Sequence, residues 1–267
     1  MLYFVATPIG NLKDMTYRAV ETLKMVDEIG CEDTRHSLAL LNHYEIKKTL
    51  FSYHKFNEKE SVDKIIDKLE SGKNLAIISD AGMPCISDPG NQLAKALKEK
   101  GIGFTVIPGA SAFTSALVLS GLDSDRFVFI GFLPQKKKDR DSLLEEYKNL
   151  DATLIFYSAP HDVQKDVRSI YEVLGERKAV AVKEITKIHE STYTFNLSEG
   201  INFEPKGEFV LLVDKGEKTN DFSMLSEKEH IEKYLAQGID KKQAIKLVAK
   251  ERGVSKSQLY KYTLSDR

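Results

Sequence analysis

The residues best suited to chemistry lie in four loops, Thr7–Asp14, Cys31–Arg35, Ser79–Gly90 and Pro108–Ala112. Three of them carry carboxylates: Asp14 in the first, Glu32 and Asp33 in the second, Asp80 and Asp88 in the third. Gly10, Gly82, Gly90 and Gly109 let a ligand approach the backbone, and Pro8, Pro84, Pro89 and Pro108 hold loop shape without offering an N–H. Neither GxGxxG nor GxxxxGK(S/T) occurs, which argues against ordinary dinucleotide and nucleoside-triphosphate sites. Several carboxylates without a lysine cradle suit a sulfonium, an ammonium or a metal ion better than a triphosphate. Asp14 and Asp88 can equally cap a helix or a turn, and Met83 and Cys85 are packing residues by type. His36, His161 and His189 are proton acceptors by chemistry, but they are scattered without metal-ligand spacing, so no metal is expected.

The elements around these loops alternate in a way that brings the loops to one edge. Leu2–Ala6, Leu75–Ile78 and Phe104–Ile107 are continuous apolar runs of strand length. Between them Ala19, Val20, Leu23 and Val26, then Val62, Ile65, Ile66 and Leu69, and finally Leu93, Ala94 and Leu97 repeat at helical spacing. This rhythm predicts a mostly parallel sheet covered on both faces, whose loops at the carboxyl ends of strands line one crevice. It restarts at Phe127–Ile130, and Leu143, Leu144, Tyr147 and Leu150 mark a helix before a strand at Thr153–Tyr157. Val163, Val167, Ile170 and Leu174 mark another helix, and Ala179–Glu184, Thr192–Leu197 and Phe209–Asp214 are strand-like. Helices are sparser here, so a mixed sheet is expected. The resulting division is an N-terminal α/β domain over 1–115, a second α/β domain over 116–217 and a helical module over 223–267, with Gly216–Asn220 as a linker. In the module, Arg252-Gly253-Val254-Ser255 followed by Gln258 predicts a glycine turn and a capping box, the signature of a helix-turn-helix.

The 267 residues are 42% hydrophobic and 30% charged, the composition of an ordinary globular protein, and the formal charge is −1. Cys31 and Cys85 alone make no disulfide framework. Met1–Ala6 has no basic region before it and is read as a buried strand, not a signal peptide. No apolar stretch approaches the roughly 20 residues a membrane span needs, so a cytoplasmic protein without a membrane partner is expected. Bulk charge does not point to nucleic acid, but basic residues cluster. Seven Lys or Arg face two acids between Asp240 and Tyr262, and Lys136, Lys137, Lys138 and Arg140 form a second group.

The sequence resembles the tetrapyrrole methylase superfamily, and within it the ribosomal RNA small subunit methyltransferase I family. The resemblance is carried by TPIGNLKDMTYRA at 7–19, CEDTR at 31–35, SDAGMPCISDPG at 79–90, PGASA at 108–112 and GFLPQKKKDR at 131–140. It continues through IFYSAPH at 155–161, KEITKIHE at 183–190 and GEFVLLV at 207–213. It implies two α/β domains with S-adenosylmethionine in the cleft between them, a homodimer, and methylation of the ribose 2′-oxygen of a cytidine in 16S rRNA, free or in the small ribosomal subunit. By position, it implies that Pro8, Asp80, Gly82, Met83, Ser111 and Ala112 lie around the cofactor. Asn11, Thr34, Arg35 and Asp88, with Glu32 and Asp33, would face the nucleotide. Ser158, Asp162 and Lys183 depart from residues common in the family.

Methyl transfer from a sulfonium is an in-line displacement with a good leaving group, so the protein's task is positioning and removal of the hydroxyl proton. Glu32 and Asp33 are the candidate carboxylates for that proton. Two other functions stay open on the sequence: a small-molecule methyltransferase acting on a tetrapyrrole-like acceptor, and a non-catalytic nucleic-acid-binding protein on the same fold.

Overall fold

A computed structural model describes residues 1–55, 57–216, 225–236, 238–260 and 262. Of the expected linker only Gly216 is described, and residues 223–224, 237, 261 and 263–267 of the expected C-terminal module lie outside the described residues. The chain divides into two compact units, residues 1–148 with 152–215, and residues 149–151 with 216–267.

The first unit opens with a parallel sheet made of β1 (Leu2–Val5), β2 (Glu28–Cys31), β3 (Thr49–Ser52), β4 (Leu75–Ile77) and β5 (Phe104–Ile107). Its strand order is β3-β2-β4-β1-β5. The connections carry α1 (Tyr17–Met25), α2 (Thr34–His43), α3 (Glu58–Glu70) and α4 (Asn91–Glu99). Alternation along the strands sends side chains to both faces. Val5, Ile29 and Ile78 pack against Leu23 of α1 and Leu41 of α2, while Leu2, Phe4 and Leu75 pack against Ile65 and Ile66 of α3 and Leu93 of α4. The central strands β1 and β4, covered on both faces, are apolar along their length, as a parallel sheet favours. The four residues of β2 are buried although they include Glu28, whose carboxylate is neutralised by Lys68 and Lys73.

A second sheet follows α5 (Ala112–Ser120). It is built from β6 (Phe127–Phe132), β7 (Thr153–Ser158), β8 (Lys178–Lys183), β9 (Ser191–Asn196) and β10 (Phe209–Val213), in the order β6-β7-β10-β8-β9. Only β6 and β7 are parallel, so the sheet is mixed. Phe209, Leu211 and Val213 of β10 face a core shared with α6 (Lys137–Tyr147) and α7 (Val163–Leu174), and Val210 and Leu212 face α5. The expected boundary at 115/116 falls inside α5, and this helix packs against β7, β8 and β10 through Ala116 and Leu117.

The second unit contains α8 (Glu227–Ala236), α9 (Lys241–Arg252) and α10 (Lys256–Tyr260) around Ile231, Ile245, Val248 and Leu259. Gly253 closes α9 at φ 65°, as the glycine turn predicts. One arm of the expected capping box forms, with Ser255 N donating to Gln258 Oε1 at 3.1 Å. The Ser255 hydroxyl meets the same oxygen and Ser257.

Candidate active site

The loops after β1 and β4 are tied together by backbone pairing beyond the sheet. Thr7 N donates to Gly82 O at 2.8 Å, Gly82 N donates to Thr7 O at 3.1 Å, and the Thr7 hydroxyl donates to Ser79 O at 3.1 Å. Gly82 sits at φ 80°, and a Cβ there would come within 3.2 Å of the Ile9 side chain, so glycine is what permits the pairing. The first loop also meets the loop after β8. A Cβ on Gly10 would lie 2.5 Å from Lys187 Cγ and 2.8 Å from Thr186 Oγ1. Cys85 and Ser87 in one loop and Glu184 and Thr186 in the other have positive φ without being glycine. Such strain concentrates where loops are held in shape by function.

Between these loops and the second sheet lies a cavity of about 460 Å3. The first half of the unit contributes Glu32, Asp80, Gly82, Met83, Asp88 and Ser111, with Ala112 at the start of α5. The other wall is Tyr157, Ser158, Pro160, Val182, Phe209 and Val210. A neighbouring cavity of about 400 Å3 is lined by Pro8, Leu12, His36, Leu40 and Lys187. Ile9, Asp80, Ala81 and Glu208 line both.

Glu32, Asp80 and Asp88 set the electrostatics of the larger cavity, whose fourth carboxylate, Glu208, is paired with Lys187. Burial raises the Glu32 pKa to about 7, with the Asp88 and Asp80 charges adding to it and a backbone hydrogen bond from Asp80 opposing it. Asp88 is raised to about 6 by burial and by Asp80, against a hydrogen bond from Ser79. Tyr157 is pushed up to about 12, mainly by burial. Among the described residues no Lys, Arg or His lines this cavity. A cation entering it would restore the charge that burial disfavours.

The structure separates the candidate residues into two sets. Glu32, Asp80, Gly82, Met83, Asp88, Ser111 and Ala112 line the larger cavity, and Pro8 lines its neighbour. Asn11, Asp33, Thr34 and Arg35 line neither. Asp33 caps α2, its carboxylate accepting from Arg35 N at 2.8 Å, and Asn11 accepts from Lys13 N at 3.1 Å. Thr34 and Arg35 form the first turn of α2, with Arg35 exposed. The wall from the second sheet was not among the expected site residues. Its one sequence signal is the IFYSAPH run ending β7, where an apolar strand again gives way to a proline turn.

The basic group at 136–140 is corrected by the structure. Arg140 is buried, donating to Ser169 Oγ at 2.9 Å and to the carbonyls of Pro134 and Gln135 at 3.0 Å each. Lys137 pairs with Asp141 and Glu172. Asp162 holds the same segment, accepting from Gln135 Nε2 at 2.8 Å and pairing with Lys165. Arg252, counted with the C-terminal basic residues, donates inward to His230 Nδ1 at 3.0 Å and to Ser226 O at 3.2 Å. Lys261 lies outside the described residues. Among the described residues no helix is long and apolar enough to cross a membrane, and no three His, Cys, Asp or Glu are grouped to hold a metal ion.

Residues 1–200 match the family of Tetrapyrrole (Corrin/Porphyrin) Methylases. Ribosomal RNA small subunit methyltransferase I of Halalkalibacterium halodurans is 45% identical over 268 residues, covering 97% of this chain and 93% of the relative. The protein of that name from Bacillus subtilis is 42% identical over 270 residues, covering 97% and 92%. Among solved structures, diphthine synthase superposes with a TM-score of 0.63 at 16% identity, covering 84% of this chain and 94% of the other. Uroporphyrin-III-C-methyltransferase from Thermus thermophilus superposes with a TM-score of 0.55 at 18% identity, covering 80% and 94%. At such identities these two likenesses show the fold alone.

Proposed function

Because the chain belongs to the tetrapyrrole (corrin/porphyrin) methylases and, among them, to the ribosomal RNA small subunit methyltransferase I family, we propose that it methylates the ribose 2′-hydroxyl of a cytidine in 16S rRNA, using S-adenosylmethionine. The observation that carries this reading is the acidic lining of the larger cavity, with Glu32, Asp80 and Asp88 on its walls and no cationic side chain among the described residues that line it. A ligand bearing both a sulfonium and an ammonium fits that lining. When bound, S-adenosylmethionine supplies a methyl group on a positively charged sulfur with a neutral thioether as leaving group.

In this reading Asp80, Gly82, Met83, Ser111 and Ala112, with Pro8 beside them, hold the cofactor. Much of that contact falls to main-chain groups of these loops. Asn11, Thr34, Arg35 and Asp88 belong to the acceptor side. Arg35, exposed on the first turn of α2, suits a phosphate bidentately. Glu32 receives the hydroxyl proton. A carboxylate whose pKa stands near 7 is a better base at neutral pH than an unshifted one, and it is still ionised in a large share of molecules. Asp33 acts through α2, fixing the helix that carries Thr34 and Arg35. The protein acts in the cytoplasm as a homodimer on the small ribosomal subunit or its RNA.

The test is a methylation assay with purified protein, methyl-labelled S-adenosylmethionine and small subunits lacking the modification, followed by mapping of the modified nucleotide. Label on a 2′-oxygen of a 16S cytidine is expected. Label on a base, or none on ribosomal RNA under conditions where the cofactor binds, would overturn the acceptor assignment.

A further inference from the structure

Resting on that methylation reading, we propose that the smaller cavity is the seat of one unpaired nucleobase of the acceptor RNA, with Lys187 and Glu208 binding its pairing edge. Group transfer requires the two substrates to meet, and the two cavities share a wall at Ile9, Asp80, Ala81 and Glu208. The larger one suits a cation. The smaller one has different chemistry: Lys187 and His36 stand among Pro8, Leu12 and Leu40. At about 400 Å3 it lies within the usual range of small-ligand sites.

Recognition of unpaired RNA bases combines flat packing surfaces with hydrogen bonds to the Watson–Crick edge. Here the imidazole of His36 offers a flat face, and Leu12 and Leu40 offer apolar contact. The polar partners are an ammonium and a carboxylate side by side, Lys187 Nζ lying 2.9 Å from Glu208 Oε2. An adjacent donor and acceptor complement a base edge, which presents an acceptor next to a donor. Glu184, 3.0 Å from Lys187 Nζ on its other side, keeps the ammonium in place without entering either cavity wall. Once its edge is engaged in this way the base cannot be paired, so the acceptor nucleotide must leave any helix before transfer.

The test compares two probes on protein saturated with S-adenosylhomocysteine: cytidine 5′-monophosphate, which has a base, and ribose 5-phosphate, which has none. Titration followed by NMR is expected to show the nucleotide binding about tenfold more tightly or better, the range a seated base supplies. Glu208→Ala removes a side chain that is 75% exposed, so the fold should persist, and Lys187 keeps Glu184. That variant, compared with the wild type with each saturated in S-adenosylhomocysteine, should lose most of the nucleotide's advantage, and Leu40→Ser should reduce it independently. Equal binding of the two probes by the wild type, or an advantage unchanged in Glu208→Ala, overturns the seat. Methyl transfer to small subunits is assayed in parallel. Subunits methylated without base preference sink the seat alone, whereas base preference without methylation supports the seat and sinks the methylation reading.

Discussion

The Ser158 hydroxyl donates to Asp166 Oδ2 at 2.6 Å, and both residues are buried, Ser158 on the cavity wall and Asp166 behind it on α7. With its hydrogen committed to the carboxylate, Ser158 can present only lone pairs to the cavity. Burial raises the Asp166 pKa and the Ser158 bond lowers it, so the pair offsets part of the cost of placing an acid there. Ser158→Ala, which removes the donor and keeps the acid, should cost about 1–3 kcal/mol in urea denaturation. Ser158→Ala/Asp166→Leu should recover part of that loss, because both polar groups are then gone. A double variant no more stable than the additive sum would show that the bond has no such role.

Glu32 links stability and activity to pH in opposite directions. Its folded-state pKa of about 7 exceeds the ordinary 4.5, so the folded protein binds the extra proton and stability falls as pH rises from about 4.5 through 7. Asp88, raised to about 6 from 3.8, adds the same sign over a lower window. Glu32→Gln should therefore be more stable than the wild type at pH 8, by on the order of 1–3 kcal/mol. The kcat/KM of the wild type for S-adenosylmethionine, which reports the free enzyme, should rise with pH to a plateau above about 7 as Glu32 ionises, and the variant should lose both that limb and most activity. An unchanged pH–rate profile in Glu32→Gln would assign the proton to another group.

Arg140 separates a structural cation from the basic surface around it. Arg140→Ala leaves the carbonyls of Pro134 and Gln135 and the Ser169 hydroxyl without this partner, and should cost about 2–4 kcal/mol by denaturant unfolding. Lys136→Ala and Lys138→Ala, both at exposed positions, should stay within about 0.5 kcal/mol of the wild type. If Arg140→Ala is as stable as the wild type, the clamp on the β6–α6 loop is not what the residue is for.

In the C-terminal helices Arg252 and the lysines of α9 should behave differently. Arg252→Ala removes the bonds to His230 Nδ1 and Ser226 O that join α9 to α8, and should lower helix protection in hydrogen exchange across residues 227–252. Lys242→Gln, Lys246→Gln and Lys250→Gln should leave exchange unchanged. Each should reduce the salt dependence of small-subunit binding by about one unit of slope if it meets a phosphate. Salt-independent binding by the wild type would give this unit a role in stability or assembly instead.

Local pattern alone determined the four loops and the parallel sheet that carries them. Runs such as Leu75–Ile78 and Phe104–Ile107, each giving way to glycine and proline, state that a buried strand ends and an irregular turn begins. Other elements had no such pattern. β2 contains Glu28 and Gly30, and β3 has Thr49 and Ser52 at its ends, so neither reads as a continuous apolar run; α5 is apolar on nearly all sides, so that Val118 is 80% exposed while Leu117 is buried. Glu32 and Asp33 are chemically near-identical neighbours, and only the course of the chain out of β2 turned one into the cavity and made the other a helix cap. Arg140 looks in sequence like its lysine neighbours, and only the packing of α6 on α7 buried it. The wall formed by Tyr157, Ser158 and Val210 comes from strands whose continuous apolar runs show that they are buried but not what they face. Periodicity records which side of an element avoids water. Which loops meet, and therefore which acids lose their solvent, depends on contacts between residues more than a hundred positions apart, such as Gly10 with Thr186, and those exist only in the folded chain.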